Sequence, residues 1–477
     1  MSTARQGVAR NFLSVLLGNF ASRLLGFLAV IYLTRTLGPH SYGEVSWALA
    51  AYNFALYTTD LGLTTVGIRH MAQNPDEMAH TISDIGALRL LLSVVMAGFL
   101  VLFGLATGPS ETIRWLTAIY GMALVVNGLV IEWVFTGMQR MQYIGLARLL
   151  QYVIYPLLLV LWVHGPRTVL RVPVASALAA LAAAVFLLVI LARTEPHSLV
   201  RPRVQTWTRL LRVAVPVGLS SLVVQVYLNL PLLMLGWMQG EAATGYYAGA
   251  FRIFQVLYEG VALFLLTCFP VAAHRWQTAP HEIGGMLERV LKLILIAAAP
   301  VAVMALVAGP QLFALVLGDD FRLSVLPFQI ITWNLILVGL SGVYAQLGLL
   351  MNARQKEYLL VVSLGAVVSL GASLALIPLL SYAGVAVAWV VAELTMAVAS
   401  YALVRHWVRF ATWPHLWRPL VAAAAMGVGS WGLQWWGAPL PMISLAAIGL
   451  YGFALVALGG VSQADYQFAR NLLRRRA

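Results

Sequence analysis

Apolar stretches of 19 to 27 residues recur along this chain, at roughly 11–34, 42–66, 84–106, 113–135, 143–163, 172–192, 213–236, 245–269, 290–308, 324–350, 358–377, 382–404, 417–436 and 440–460. Each is long enough to cross a hydrocarbon core of about 30 Å as a helix rising about 1.5 Å per residue. In lipid a spanning segment satisfies its own backbone N–H and C=O groups only as a helix or within a closed barrel, and stretches this long select the helix. The pattern therefore predicts an all-α polytopic membrane protein with about fourteen transmembrane helices. Composition agrees: 61% of residues are hydrophobic and only 10% charged, against about 25% charged in soluble domains. The first stretch follows Arg5 and Arg10 as a signal sequence would, but it is too long for a signal core and contains Arg23, so it is expected to be an uncleaved first helix.

The basic residues orient the segments. With the N-terminus in the cytoplasm, 22 of the 30 Lys and Arg residues fall on the cytoplasmic side, 5 on the outer side and three (Arg23, Arg89 and Arg252) within segments. That asymmetry predicts both termini inside and an even number of helices. The net charge of +13 is assigned on the same ground to cytoplasmic loops and anionic lipid rather than to nucleic acid. The longest connector, 193–212, is arginine-rich and carries Pro196 and Pro202, as a link between two halves would. A weak internal repeat supports the halves. Tyr42-Gly43 and Tyr246-Tyr247 each follow a short outer loop, and each precedes a basic turn, Arg69-His70 or His274-Arg275, by about 27 residues. The expected organisation is a six-helix bundle over 1–192, the connector 193–212, a second six-helix bundle over 213–404, and two further helices with a basic tail over 405–477. Repeats of this kind enclose a substrate site in transporters.

Charges at membrane depth are costly and face a bundle interior or a water-filled cavity. Arg252 and Glu259 lie seven residues apart, within about 20° on a helix, with Gln255 between them. They either line a cavity or form an intrahelical pair that tolerates burial. Arg23 lies about 18 Å into the first helix, with Asn19 one turn before it and Gly26 near it. It is either paired to a neighbouring carboxylate or carbonyl, or an anion site, since a guanidinium offers a fork of donors matched to phosphate. Arg89 is near enough to a segment end to snorkel to the interface, with a cavity mouth as the alternative. Asp60 and Glu132 are expected to pair with Arg69 or Arg140. Glu393, in the middle of helix twelve, is a candidate proton or cation site or a structural partner, and Glu259 is the other candidate for coupling. Asn53, Gln225, Asn229 and Asn334, with Tyr227, Tyr344 and Gln346, are candidate contacts for sugar hydroxyls or interhelical hydrogen bonds. Asp319-Asp320 reads as a capped turn. No Cys/His metal spacing, P-loop or glycine-rich nucleotide turn occurs, so no enzyme, metal or cofactor is expected, and energy is assigned to a proton or cation, to voltage or to substrate gradients.

Three motifs in order resemble one family. They are Leu37-Gly38-Pro39-His40-Ser41-Tyr42-Gly43 with Asp60-Leu61-Gly62-Leu63 and Arg69; Leu317-Gly318-Asp319-Asp320-Phe321 with Leu323-Ser324; and Leu376-Ile377-Pro378 with Tyr382-Ala383-Gly384-Val385-Ala386. Together they resemble polysaccharide flippases of the O-antigen type, in the multidrug/oligosaccharidyl-lipid/polysaccharide exporter superfamily. The resemblance implies two six-helix bundles around a central cavity in the bacterial inner membrane. It also implies movement of a polyprenyl-pyrophosphate-linked oligosaccharide from the cytoplasmic to the periplasmic leaflet. The related lipid II flippase carries arginines on its first and eighth helices, and Arg23 and Arg252 lie on those helices here, which implies a pyrophosphate site. A drug/cation antiporter of the same superfamily and a membrane glycan polymerase or ligase are the alternatives. The antiporter would need carboxylates as its deepest charges, and the polymerase a large outer loop, where 309–323 is the longest.

The orientation is testable directly. With Cys268 replaced and single cysteines placed in 193–212 or 309–323, an impermeant thiol reagent added to spheroplasts is expected to label only the second position. Labelling of the arginine-rich connector from outside would overturn both the orientation and the even helix count.

Overall fold

The computed structural model describes residues 24–196, 200–219, 221–409, 417–463 and 465–467, with no strand among them. Ten helices among the described residues are long and apolar enough to cross a membrane, one of which, at 58 residues, is long enough for two crossings. Segments one and two form α1 (Ser2–Asp60), which breaks at Gly38 with φ 67° and ψ 175°. That conformation suits only glycine, and Pro39 beside it has no N–H to continue the ladder. A short α2 (Leu63–Gln73) follows, then α3 (Met78–Thr107), α4 (Glu111–Gly128), α5 (Glu132–Gly137), α6 (Met141–Trp162) and α7 (Arg171–Thr194). Segments seven and eight form α8 (Trp207–Thr278), which breaks at Gly240 with φ 82°.

The rest comprises α9 (Ile283–Val316), α10 (Val325–Thr332), α11 (Asn334–Ser341), a π-helical run Gly342–Leu349, then α12 (Gln355–Leu380), α13 (Tyr382–Val404), α14 (Trp413–Trp435) and α15 (Leu440–Ala457). Two segment ends differ from expectation. The second segment stops at Asp60 rather than at 66, because Leu61 and Gly62 both take positive φ, 40° and 84°. The outer connector expected over 309–323 begins only after Val316, because α9 continues through Pro310.

Packing groups residues Met1–Gly245 into one unit and Tyr246–Ala477 into another. In the first unit, α1 packs on α3, α4 and α6, and α7 packs on α4 and α6. The first part of α8 meets α1 at two backbone contacts. A Cβ on Gly43 would collide with the Glu241 carbonyl, and one on Gly245 with that of Pro39. Near the other end of α1, a Cβ on Gly62 would lie 2.6 Å from the Ala214 carbonyl oxygen, and one on Gly218 would collide with the Leu61 backbone. Between these ends Trp47, fully buried, donates its Nε1–H to the Leu233 carbonyl at 3.1 Å.

The connector before α8 is tied to α3. Asp84, 3% exposed, accepts from the Arg203 backbone N–H at 2.6 Å, from Arg203 Nε at 3.1 Å and from the Thr206 hydroxyl at 3.2 Å. The Ser83 hydroxyl accepts from the Val200 N–H at 2.9 Å. Sequence reading took the arginines here as loop charges and gave Asp84 no role.

In the second unit α9 packs on α10, α11 and α14, and α13 packs on α10, α11 and α12. The chain after α15 is clipped to α9 by a buried ion pair, Lys292 Nζ to Asp465 Oδ2 at 2.5 Å. Ser462 adds to it. Its N–H and hydroxyl donate to Asp465 Oδ2 at 2.9 and 2.7 Å, while the Asp465 N–H returns a bond to the Ser462 hydroxyl at 3.3 Å. This is a capping box. Burial pushes the Asp465 carboxyl up, but the Lys292 ammonium and the Ser462 donors more than offset it and hold the group below the usual carboxylate value.

A depressed carboxylate stabilises the fold above its unfolded value, and that stabilisation is lost as pH falls through its lower folded value. Asp465→Asn is therefore expected to lower thermal stability in detergent at neutral pH, by about 3–5 kcal/mol for a buried pair broken on one side. The gap to wild type should close below the usual carboxylate range. Lys292→Met with Asp465→Leu should recover most of the loss, and a double variant no better than the single would show that the loss does not come from the unpaired Lys292 ammonium.

Candidate functional site

The charges at membrane depth sort by partner. Arg252 lies twelve residues beyond the Gly240 break, about 18 Å along the helix. It is half-buried, and its Nη1 donates to Gln255 Oε1, three residues on, at 3.0 Å. Glu259 is half-buried two turns from Arg252 on the same face. Phe251 and Phe254 of this helix pack against Trp389 of α13, with ring centroids 5.4 and 5.0 Å apart.

One turn beyond Trp389, Glu393 is 5% exposed and accepts from the Ser341 hydroxyl at 3.0 Å. Ser341 is the last residue of α11 before the backbone widens into the π-helical run at Gly342. A side chain at Gly342 would collide with Leu265 of α8. Tyr258 and Tyr358 lie within electrostatic reach of Glu393. The π-helical run is held from outside by Trp276, whose Nε1–H donates to the Leu347 carbonyl at 2.9 Å. Such widened turns are frequent at functional sites because they redirect side chains and free carbonyls.

The other predicted residues fall elsewhere. Arg23 lies outside the described residues. Gln225 is buried and Asn229 half-buried on α8; the Asn229 amide donates to Gln225 Oε1 at 2.8 Å and to the Gln225 carbonyl at 3.2 Å. Asn53 is half-buried on α1. Tyr227 is buried, as is Tyr344, whose ring packs against Tyr401 at 5.4 Å, and Gln346 is half-buried. Asn334 is fully buried, and neither its Oδ1 nor its Nδ2 has a hydrogen-bond partner among the described residues. An orphaned buried amide is costly and marks a place where a polar group or water is wanted.

Three pairing expectations are corrected. Arg89 does not snorkel: its side chain is 13% exposed and its Nε lies 3.6 Å from Asp60 Oδ1. Asp60 thus pairs with Arg89 and accepts from Thr64 Oγ1 at 2.5 Å, not from Arg69. The turn at Leu61-Gly62 starts α2 in a new direction and leaves Arg69 on its exposed face. Glu132 pairs with Arg148 at 2.8 Å rather than with Arg140, because the positive φ of Gln139 turns Arg140 toward Glu195 at 3.0 Å. Asp319 and Asp320 open the short turn Asp319–Ser324, and no group of three His, Cys, Asp or Glu that could hold a metal occurs among the described residues.

Against known proteins, the family model described as "Polysaccharide biosynthesis protein" matches residues 8–276. The "Putative O-antigen transporter" of Escherichia coli (strain K12) is 20% identical over 363 residues, which is 75% of this chain and 87% of that protein. Lipid II flippase MurJ in an inward closed conformation superposes with a TM-score of 0.73 at 14% identity, over 96% of this chain and 99% of that one. An inward-facing multidrug resistance MATE family transporter of the MOP superfamily superposes with a TM-score of 0.65 at 15% identity, over 81% of this chain and 94% of the other. At these identities the structural likeness is one of fold.

The Arg89–Asp60 pair makes a test of its own. Thermal stabilities of Arg89→Leu, Asp60→Asn and the double variant should give a coupling of about 1–3 kcal/mol, as for neighbouring charges in one network. A coupling indistinguishable from zero would return Arg89 to the snorkelling reading.

Proposed function

Because the chain belongs to the polysaccharide biosynthesis protein family, whose model covers residues 8–276, we propose that it is a flippase for a polyprenyl-pyrophosphate-linked oligosaccharide. It moves this lipid from the cytoplasmic to the periplasmic leaflet of the inner membrane by alternating access, with both termini cytoplasmic and the bundles 1–192 and 213–404 as its working halves. The likeness to an O-antigen transporter and to a lipid II flippase fold supports the substrate class. The observation that carries the reading is Arg252: an arginine at membrane depth whose hydrogen-bond partner, Gln255, is neutral. Gln255 fixes the direction of the guanidinium and adds no opposite charge to it, which suits a pyrophosphate site. Arg23 is assigned as its companion, and Arg89 as a group at the mouth of the path.

Glu393 and Glu259 are assigned to coupling with a proton or cation, Glu393 first. It is the more deeply buried, and Ser341 ties it to the irregular turn of helix ten. Asn53, Gln225 and Asn334 are assigned to sugar hydroxyls, and Asn229, whose amide nitrogen is committed to Gln225, to positioning Gln225. Asn334 is the best placed chemically, since its amide has donors and an acceptor to spare. A drug/cation antiporter is the second reading. It draws on the MATE likeness, which covers less of the chain than the MurJ likeness, 81% against 96%.

Purified Arg23→Ala, Arg252→Ala and the two lysine variants should be compared for binding of a polyprenyl-pyrophosphate oligosaccharide and of an uncharged analogue. Loss of a charge-assisted bond predicts about 10- to 100-fold weaker binding of the charged lipid by each alanine variant. The lysine variants should retain part of it, and the uncharged analogue should bind wild type and variants alike. In the same vesicles Glu393→Gln should alter the dependence of transport on pH or voltage. Folded alanine variants that bind the charged lipid as wild type does would remove both arginines from the site.

A further inference from the structure

The first unit holds a cavity of about 180 Å³ that none of the charged groups above uses. Its walls come from three helices, with Ala51 and Ala55 on α1, Phe99 and Phe103 on α3, and Asn229 and Trp237 on α8 among them. Asn229 is the one polar residue on the wall, and its amide nitrogen is already committed to Gln225. A water in a cavity needs two to four polar partners, so this one is dry. A dry cavity of about 150 Å³ takes up a benzene-sized apolar molecule.

The exposed side of the cavity is aromatic. Phe99 is 53% exposed and Trp237 41% exposed on a unit whose helices cross the membrane, while Ala51 and Ala55 at the back are buried. Trp237 donates its Nε1–H to the Thr107 carbonyl at 2.8 Å, at the end of α3, as an indole does at a membrane interface. From Trp237 to Val226, both on the wall, the helix rises about 16 Å. That is about half of a hydrocarbon core about 30 Å thick.

We infer that this cavity docks an isoprenoid unit of the substrate's polyprenyl tail, an inference that rests on the flippase reading above. A five-carbon branched unit with its methyl group is compact and matches the space. A straight acyl chain is narrower and would leave part of the space empty, forfeiting contacts on that side. Phe99, Phe103 and Trp237 give the cavity aromatic walls, and two alanines keep the back open.

The test uses the full chain in nanodiscs and a polyprenyl monophosphate with a diazirine in its tail. Cross-links on wild type should map to the α3 and α8 walls of the cavity. Unlabelled polyprenyl phosphate should compete them away, and a diacyl phospholipid at equal concentration should not. Ala51→Leu and Ala55→Leu fill the cavity and should reduce this labelling by about tenfold. Phe99→Trp narrows the mouth from a half-exposed position and serves where the leucine variants do not fold. Labelling spread evenly over lipid-facing helices, competition by phospholipid, or full labelling of the filled variants overturns the inference. If the wild-type chain still translocates lipid-linked oligosaccharide, only the tail site falls. If it translocates none, the flippase reading falls and the tail assignment with it.

Discussion

Everything in this fold answers to the cost of a polar group without a partner in hydrocarbon. Backbone groups meet it by forming helices, and charges meet it by pairing. Arg89 sits against Asp60, Arg148 against Glu132, Arg140 against Glu195 and Lys292 against Asp465. Arg252 and Glu393 each have a neutral hydrogen-bond partner as well, Gln255 and Ser341, which orients the ion.

The helices were legible because their signal is long-range in sequence and simple in physics: uninterrupted apolar stretches of spanning length. The breaks between segments one and two were legible for a local reason, Gly38 followed by Pro39. Which acid meets which base was not legible. Asp60 was read toward Arg69 because the two are near in sequence, yet two successive positive φ values at Leu61 and Gly62 start a new helix between them. A glycine there could be anticipated, but a leucine in that conformation could not. The Lys292–Asp465 clip spans 173 residues and has no sequence signal of its own. The Ser462…Asp465 spacing beside it is a local helix-start pattern, Ser with an acid three residues on.

The candidate site was half legible. Arg252, Gln255 and Glu259 share a face by spacing alone, and the structure adds the Arg252–Gln255 bond. Glu393 could be flagged as a buried carboxylate, but its partner could not. Ser341 stands where an α-helix passes into a π-helix, and nothing in Leu340-Ser341-Gly342 announces that change of pitch. Gly342 lies so close to Leu265 of α8 that a Cβ there would collide with it. The π-helical run thus approaches α8 through its first glycine, and the residue before it, Ser341, is the one that holds Glu393.

The same logic bears on how α1 and α8 meet: glycine backbones touch at both ends, and between them one polar side chain, Trp47, donates to the Leu233 carbonyl. At Gly43 with Gly245, and again at Gly62 with Gly218, the contact is van der Waals and is set by shape. Small residues let helices approach closely in lipid, where apolar side chains gain little by leaving hydrocarbon. Such a contact strands no donor or acceptor when its two sides separate. An ion pair in the same place would leave two uncompensated charges in hydrocarbon. The chain keeps its ion pairs inside compact helix neighbourhoods, as at Glu132–Arg148 and Lys292–Asp465, and places glycines at both ends of the α1–α8 contact.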